Sequence, residues 1–87
     1  MARYSLRIKR SAAKELEAVS RKSDRQRIVH RIEALAGDPR PSGSEKLAGY
    51  NDRYRIRQGT YRVVYSVDDD SRVVEVVRIG HRREVYR

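Results

Sequence analysis

The chain has 87 residues, enough for one domain spanning 1–87. At that size folding buries only about two thirds of the unfolded surface, so the core is small. Its 21 Lys and Arg against 12 Asp and Glu leave a formal charge of +9, which points to a polyanionic partner such as nucleic acid, an anionic membrane or an acidic protein. The absence of cysteine excludes a disulfide framework and thiolate metal sites.

From the N-terminus, A-R-Y-S-L-R-I-K-R alternates instead of forming an apolar block, and no apolar run approaches membrane-spanning length. A soluble cytoplasmic protein is the expectation. Over residues 2–10, Tyr4, Leu6 and Ile8 alternate with Arg3, Ser5, Arg7 and Lys9, the period of a strand. Ser11 is then placed to cap a helix with the stripe Ala12, Leu16 and Val19. Ser23-Asp24-Arg25-Gln26 fits a capping box, so a second helix is expected to start there. Its stripe is Ile28, Ile32, Leu35 and Ala36, and it ends at Gly37 before Asp38-Pro39. Together the two make a helical hairpin. Residues 37–46 read as a loop, after which Leu47 is expected to return the chain to the core.

The stretch Y-R-I-R-Q-G-T-Y-R-V-V-Y, residues 54–65, is two alternating runs broken by Gln58-Gly59, the pattern of a β-hairpin. With an even loop, Ile56 shares a face with Tyr61 and Val63, while Arg55, Arg57 and Arg62 project from the other. Like charges facing each other across strands are unfavourable, by about 1 kcal/mol per close pair even with water-like screening. Stability alone would favour Thr or Glu there. Asp68-Asp69-Asp70-Ser71 makes the next turn, with neither the loop length nor the ligand spacing of a calcium site. The last strand, Arg72–Ile79, carries valine on both faces, which predicts a central position covered on both sides. The tail is G-H-R-R-E-V-Y-R. The order β-α-α-β-β-β predicts an α+β domain, a helical hairpin packed on one face of a mainly antiparallel four-stranded sheet. The arginines then stand on the uncovered face, toward one end of which the tail brings His81, Arg82, Arg83 and Tyr86. Such a surface suits a phosphodiester, since each guanidinium can donate two hydrogen bonds to phosphate oxygens.

The segments L-A-G-Y-N-D-R-Y-R-I-R-Q-G-T-Y-R-V-V-Y and V-V-R-I-G-H-R-R-E-V-Y-R resemble the RelE branch of the RelE/ParE toxin superfamily. The resemblance covers essentially the whole chain, including the element order. It implies the toxin of a type II toxin–antitoxin pair, which cleaves messenger RNA in the ribosomal A site without a metal or other cofactor. The partners it implies are a small cognate antitoxin with an acidic, partly disordered segment, the ribosome with its message, and operator DNA reached only through the antitoxin. Carried over by position, the family's active site corresponds to Arg55 and Arg57 on the first hairpin strand, Arg62 after the hairpin tyrosine, Arg82 in the tail, and Tyr86. Arg83 joins Arg55 as an RNA contact.

RNA carries its own nucleophile, the 2′-hydroxyl, so a protein need only align it and manage charge and protons. Arg57 and Arg62 would stabilise the phosphorane. Tyr86 or His81 would carry the proton, toward a 2′,3′-cyclic phosphate and a 5′-hydroxyl. In the best-known RelE-type toxins lysines stand where this chain has Arg55 and Arg57, and arginine titrates too high to act as a base. Some relatives also continue into a terminal helix past the point where this sequence stops, at Arg87. Two other functions fit the same residues. One is a ParE-type inhibitor that binds DNA gyrase without catalysis, whose sequences generally lack the tail tyrosine. The other is a basic nucleic-acid-binding module that leaves RNA intact. The bland alternatives are a solvated sheet face for the arginines, with Glu75 paired to Arg62, and packing roles for Tyr54, Tyr61 and Tyr65. His30 is expected to be solvated.

Overall fold

Alternating Tyr4 and Leu6 pack toward the core and start strand β1 (Ser5–Ile8), the first element of a computed structural model that describes residues 3–81. Helices α1 (Arg10–Glu17) and α2 (Lys22–Ala34) follow, then strands β2 (Glu45–Lys46), β3 (Arg53–Gln58), β4 (Tyr61–Asp68) and β5 (Val73–His81). The sheet order is β1-β5-β4-β3-β2, with β1 parallel to β5 and every other pair antiparallel. The expected α+β arrangement is present, but the sheet has five strands rather than four. Glu45 and Lys46, in what reads as loop, pair with Arg55 and Tyr54. Two residues are too few to show a period, so only the pairing reveals them.

The core fills the space between helices and sheet. Ala12, Val19, Ile28, Ile32 and Leu35 meet Ile56, Val63, Tyr65, Val74, Val76 and Ile79, all nearly without solvent contact. Each such valine, leucine or isoleucine contributes on the order of 1.5–3 kcal/mol on burial. Tyr54 and Tyr61 pack at the margin of the same cluster, as expected of sheet residues, and His30 is exposed.

Helix starts differ from the sequence reading. The Lys9 N–H still bonds to the Val76 carbonyl at 2.9 Å, so the sheet holds the chain to that point and α1 begins at once. Ser11 therefore falls inside the first turn and caps nothing. The second helix starts at Lys22 with Arg21 before it, which places Ser23 inside the helix too, without a side-chain cap. Instead the Arg25 guanidinium donates to the carbonyls of Val19 and Ser20, at 2.5 and 3.3 Å, and satisfies the junction. A sheet bond at the first helix and a guanidinium at the second replace the expected side-chain caps.

The 37–44 connection is pinned to the end of the sheet. The buried Tyr65 hydroxyl donates to the Pro39 carbonyl at 2.8 Å, and burial pushes its pKa up to about 12. Arg40 forms a two-pronged bond to Asp69 (3.2 and 2.8 Å), donates to the Tyr54 hydroxyl at 3.0 Å and lies over the Tyr54 ring. The Tyr4 hydroxyl also donates to Asp69, at 2.6 Å. These bonds, Arg40's first, hold the Asp69 carboxyl below its ordinary range. In the 68–72 turn, Asp68 accepts the N–H groups of Asp70 and Ser71, as a turn aspartate does.

Leu47 does not return to the core. Its N–H bonds to the Arg53 carbonyl at 2.8 Å, and its side chain lines a groove with Val64 and Val77. Neither helix covers that side of the sheet. Thus β5 is flanked by strands on both sides, as its valines suggest, but covered by helices on one face alone.

Candidate active site on the open sheet face

The geometry begins at the hairpin turn. Gln58 pairs with Tyr61, which leaves a two-residue loop of Gly59 and Thr60. Gly59 sits at φ 61° and Thr60 has no positive φ, the type II′ arrangement that suits the twist of the flanking strands. An even loop fixes the parity the sequence predicts. Ile56 pairs with Val63 on the helix side, and Arg57 stands directly opposite Arg62 on the open side. In the next row Arg55 faces Val64, and Glu45 of β2 forms an ion pair with Arg55 at 2.5 Å.

This row is not simply a solvated stripe. Arg57 is exposed, but Arg55 and Arg62 each retain only 6% of their surface. Holding guanidinium groups out of water is costly unless ionic and hydrogen-bonding contacts compensate. Arg55 has such a contact in Glu45.

A further arginine joins them through a defect in β5. Val64 pairs with Arg78, yet the next residue, Tyr65, pairs with Val76, so Val77 is an extra residue in a β-bulge. The bulge resets the alternation: Val74, Val76 and Ile79 all face the helices, and Arg78 turns to the open face beside Val64. Strict alternation would have sent Arg78 inward with Val74 and Val76, which is why sequence reasoning passed over it. The available signal was V-V-R-I, in which both Val76 and Ile79 need the core.

Glu15 of α1 holds this part of β5. The β1 ladder ends with the Lys9–Val76 bond, leaving the later N–H groups of β5 without a strand partner on that side. Glu15 Oε1 accepts the Ile79 N–H at 2.9 Å, and Oε2 lies 3.5 Å from Arg78 Nε. A carboxylate thus takes the place of a missing strand and orients Arg78.

His81 does not meet the arginines. It pairs with Tyr61, whose ring it stacks against at 4.6 Å, beside Ala18 and Val19 on the helix side. The residue across from Arg62 is Gly80. Glu75 is also elsewhere: it pairs with Arg7 and Ser66, near Asp52 and Asp68 at the opposite end of the strands, and does not face Arg62. Arg57 and Arg62 thus stand at the hairpin end of the face, and Glu75, Asp52 and Asp68 lie at the other end with Arg7. Arg82, Arg83 and Tyr86 lie outside the described residues.

Residues 6–86 match the family model described as the ParE toxin of the type II toxin–antitoxin system, parDE. The chain belongs to the RelE/ParE toxin superfamily, in its RelE branch. It is a toxin of a type II toxin–antitoxin system. The toxin RelE of Mycobacterium tuberculosis is 29% identical over 84 residues, spanning 97% of this chain and 87% of that protein. Among solved structures, the archaeal RelE–RelB complex from Pyrococcus horikoshii superposes with a TM-score of 0.82 at 29% identity, covering 97% of this chain and 99% of its counterpart. A free-state mutant of Escherichia coli toxin RelE gives 0.81 at 31% identity, covering 97% and 90%. The RelE-like fold thus encompasses the sheet face that carries the arginines.

Proposed function

We propose that this toxin is a ribosome-dependent endoribonuclease that cleaves messenger RNA in the A site and so stops translation in the cytoplasm. The carrying observation is that Arg57 and Arg62 are paired across the hairpin on one open face with Arg55 and Arg78. Adjacent cations on one face become favourable when a phosphodiester lies between them. The substrate's 2′-hydroxyl attacks the neighbouring phosphorus in line and the 5′-oxygen departs, leaving a 2′,3′-cyclic phosphate and a 5′-hydroxyl. Arg57 and Arg62 receive the charge that builds on the non-bridging oxygens. Arg55 holds the flanking backbone, and so does Arg83 by its place in the family motif. Arg82 adds a donor at the reacting phosphate. Arginine cannot serve as the base. His81 stacks on the far side of the sheet, so proton transfer is assigned to Tyr86 with the ribosomal surroundings.

The partner that silences such a face is an antitoxin with an acidic segment, consistent with the RelE–RelB complexes among the structural neighbours. Expression without that partner is expected to arrest growth, with new 5′ ends inside translated messages by primer extension, and Arg62→Ala is expected to abolish both. The match to a ParE family model favours one second reading, inhibition of gyrase by binding alone. Loss of plasmid supercoiling with intact messages would replace the nuclease reading by that one.

A further inference from the structure

A groove of about 750 Å³ opens on the same face as the arginines, one row beyond the Arg57–Arg62 pair. Its floor is apolar, formed by Leu47, Val64 and the bulged Val77. On its rim stands Tyr50, 49% exposed, with the Arg53 guanidinium 4.6 Å from the centre of its ring. Arg78 and Lys9 line the groove as well. Among the described residues that line it, the one carboxylate is Glu15, which already accepts the Ile79 N–H and sits beside Arg78, against the cations Lys9, Arg53 and Arg78.

An apolar floor, a flat aromatic–guanidinium stack and surrounding cations are together what an unpaired nucleotide needs: a stacking surface for its base and counter-charge for its phosphate. The row Arg55–Val64–Arg78 joins this groove to the row Arg57–Arg62–Gly80. Neighbouring rows on one sheet face are about 7 Å apart, within reach of adjacent nucleotides in one strand. We propose that the groove binds the base of a nucleotide flanking the scissile phosphate. Tyr50 and Arg53 stack on that base, and Arg78 and Lys9 hold its phosphate. This rests on the nuclease reading and extends it to a subsite beside the Arg57–Arg62 pair.

The test is a titration of the purified toxin, by fluorescence anisotropy, with short single-stranded RNA. The probe carries a 2′-deoxy residue at the position of attack, and each flanking base in turn is replaced by an abasic residue. One abasic replacement is expected to weaken binding to the native chain about tenfold, the usual order for one stacked base. The same penalty is expected with Tyr50→Phe and should vanish with Tyr50→Ala, which at an exposed position keeps its circular dichroism and melting point. An equal penalty in Tyr50→Ala, or none in the native chain, overturns the proposal. So does a Tyr50→Ala chain that loses its co-purifying protein partner and keeps the full abasic penalty, which would make the groove a protein dock. Arg62-dependent message cleavage alongside a flat abasic series removes the groove alone. Absence of that cleavage removes the nuclease reading beneath it.

Discussion

On the helix side, the central strands present Ile56, Val63, Tyr65, Val76 and Ile79, each sealed from solvent. On the open side the same strands present Arg53, Arg55, Arg57, Arg62 and Arg78. Apart from the bulge at Val77 the two faces alternate along each strand, so backbone and strand position are shared and the side chains differ. The helix side is explained by burial. The open side is not: Arg57 stands directly opposite Arg62, a like-charge pairing that opposes folding. Residues that a fold tolerates against its own stability are those kept for what they bind.

If that division is right, mutations on the two faces should separate activity from stability. The largest expected effect is on the open side. Arg62→Ala should lower the rate of message cleavage in a translating extract by about 10²–10³-fold, the usual loss when one donor to a transition-state oxyanion is removed. Its circular dichroism should remain that of a folded chain. A rate within a few-fold of the native toxin would break the comparison outright.

Next comes the helix side. Ile28, fully buried in α2, should cost about 2–5 kcal/mol of stability when cut to alanine, measured by urea unfolding. Cleavage per folded molecule should be unchanged, since the Ile28 side chain is buried in the core on the helix side of the sheet. A large loss of specific activity in that variant would mean that the faces are coupled rather than divided.

A smaller change sharpens the same point by moving in the opposite direction. Arg57 is exposed and faces Arg62, so Arg57→Thr should leave stability unchanged or raise it by up to about 1 kcal/mol while cleavage falls. Destabilisation by that substitution would show that the arginine pair serves the fold.

These residues also show what was legible in the sequence. The hairpin parity was readable because alternation and a glycine turn are local signals, and a two-residue loop leaves one consistent register. The sidedness of β5 beyond Val76 was not. A single bulge at Val77 inverts every later residue, bringing Arg78 to the open face and His81 to the helix side, and no local pattern marks where it falls. Glu15 was invisible for a different reason. Its task, to accept a strand-edge N–H 64 positions away, exists only once β1 has ended short of the end of β5. The helix caps at Ser11 and Ser23 misled because the sheet holds Lys9 and the Arg25 guanidinium, from within α2, reaches back to the junction carbonyls. Period-2 patterns carry across the chain well, and interruptions of them are decided by tertiary pairing.

The smallest expected effect concerns Tyr65, a buried side chain on the helix side that keeps a polar end. The Tyr65 ring packs in the core while its hydroxyl reaches the Pro39 carbonyl, and burial raises its pKa to about 12. In the unfolded chain a tyrosine titrates near 10, to order of magnitude. The folded state therefore holds the proton more tightly than the unfolded state. The stability this confers is complete below the unfolded value and is lost as pH rises through the folded one. Tyr65→Phe removes the hydroxyl and should cost about 1 kcal/mol at neutral pH, the usual net worth of one hydrogen bond. Because a phenyl ring has no proton to lose, the variant should lose less stability than the native chain between about pH 10 and 12, so the gap between them narrows there. Tyr4, whose exposed hydroxyl is also raised by its bond to Asp69, titrates in both chains, which makes the difference between the two urea series the informative quantity. A gap that stays constant through that window would mean that Tyr65 keeps an ordinary pKa. The helix-side face would then tolerate a phenolate, contrary to the dry core that sets it apart from the arginine face.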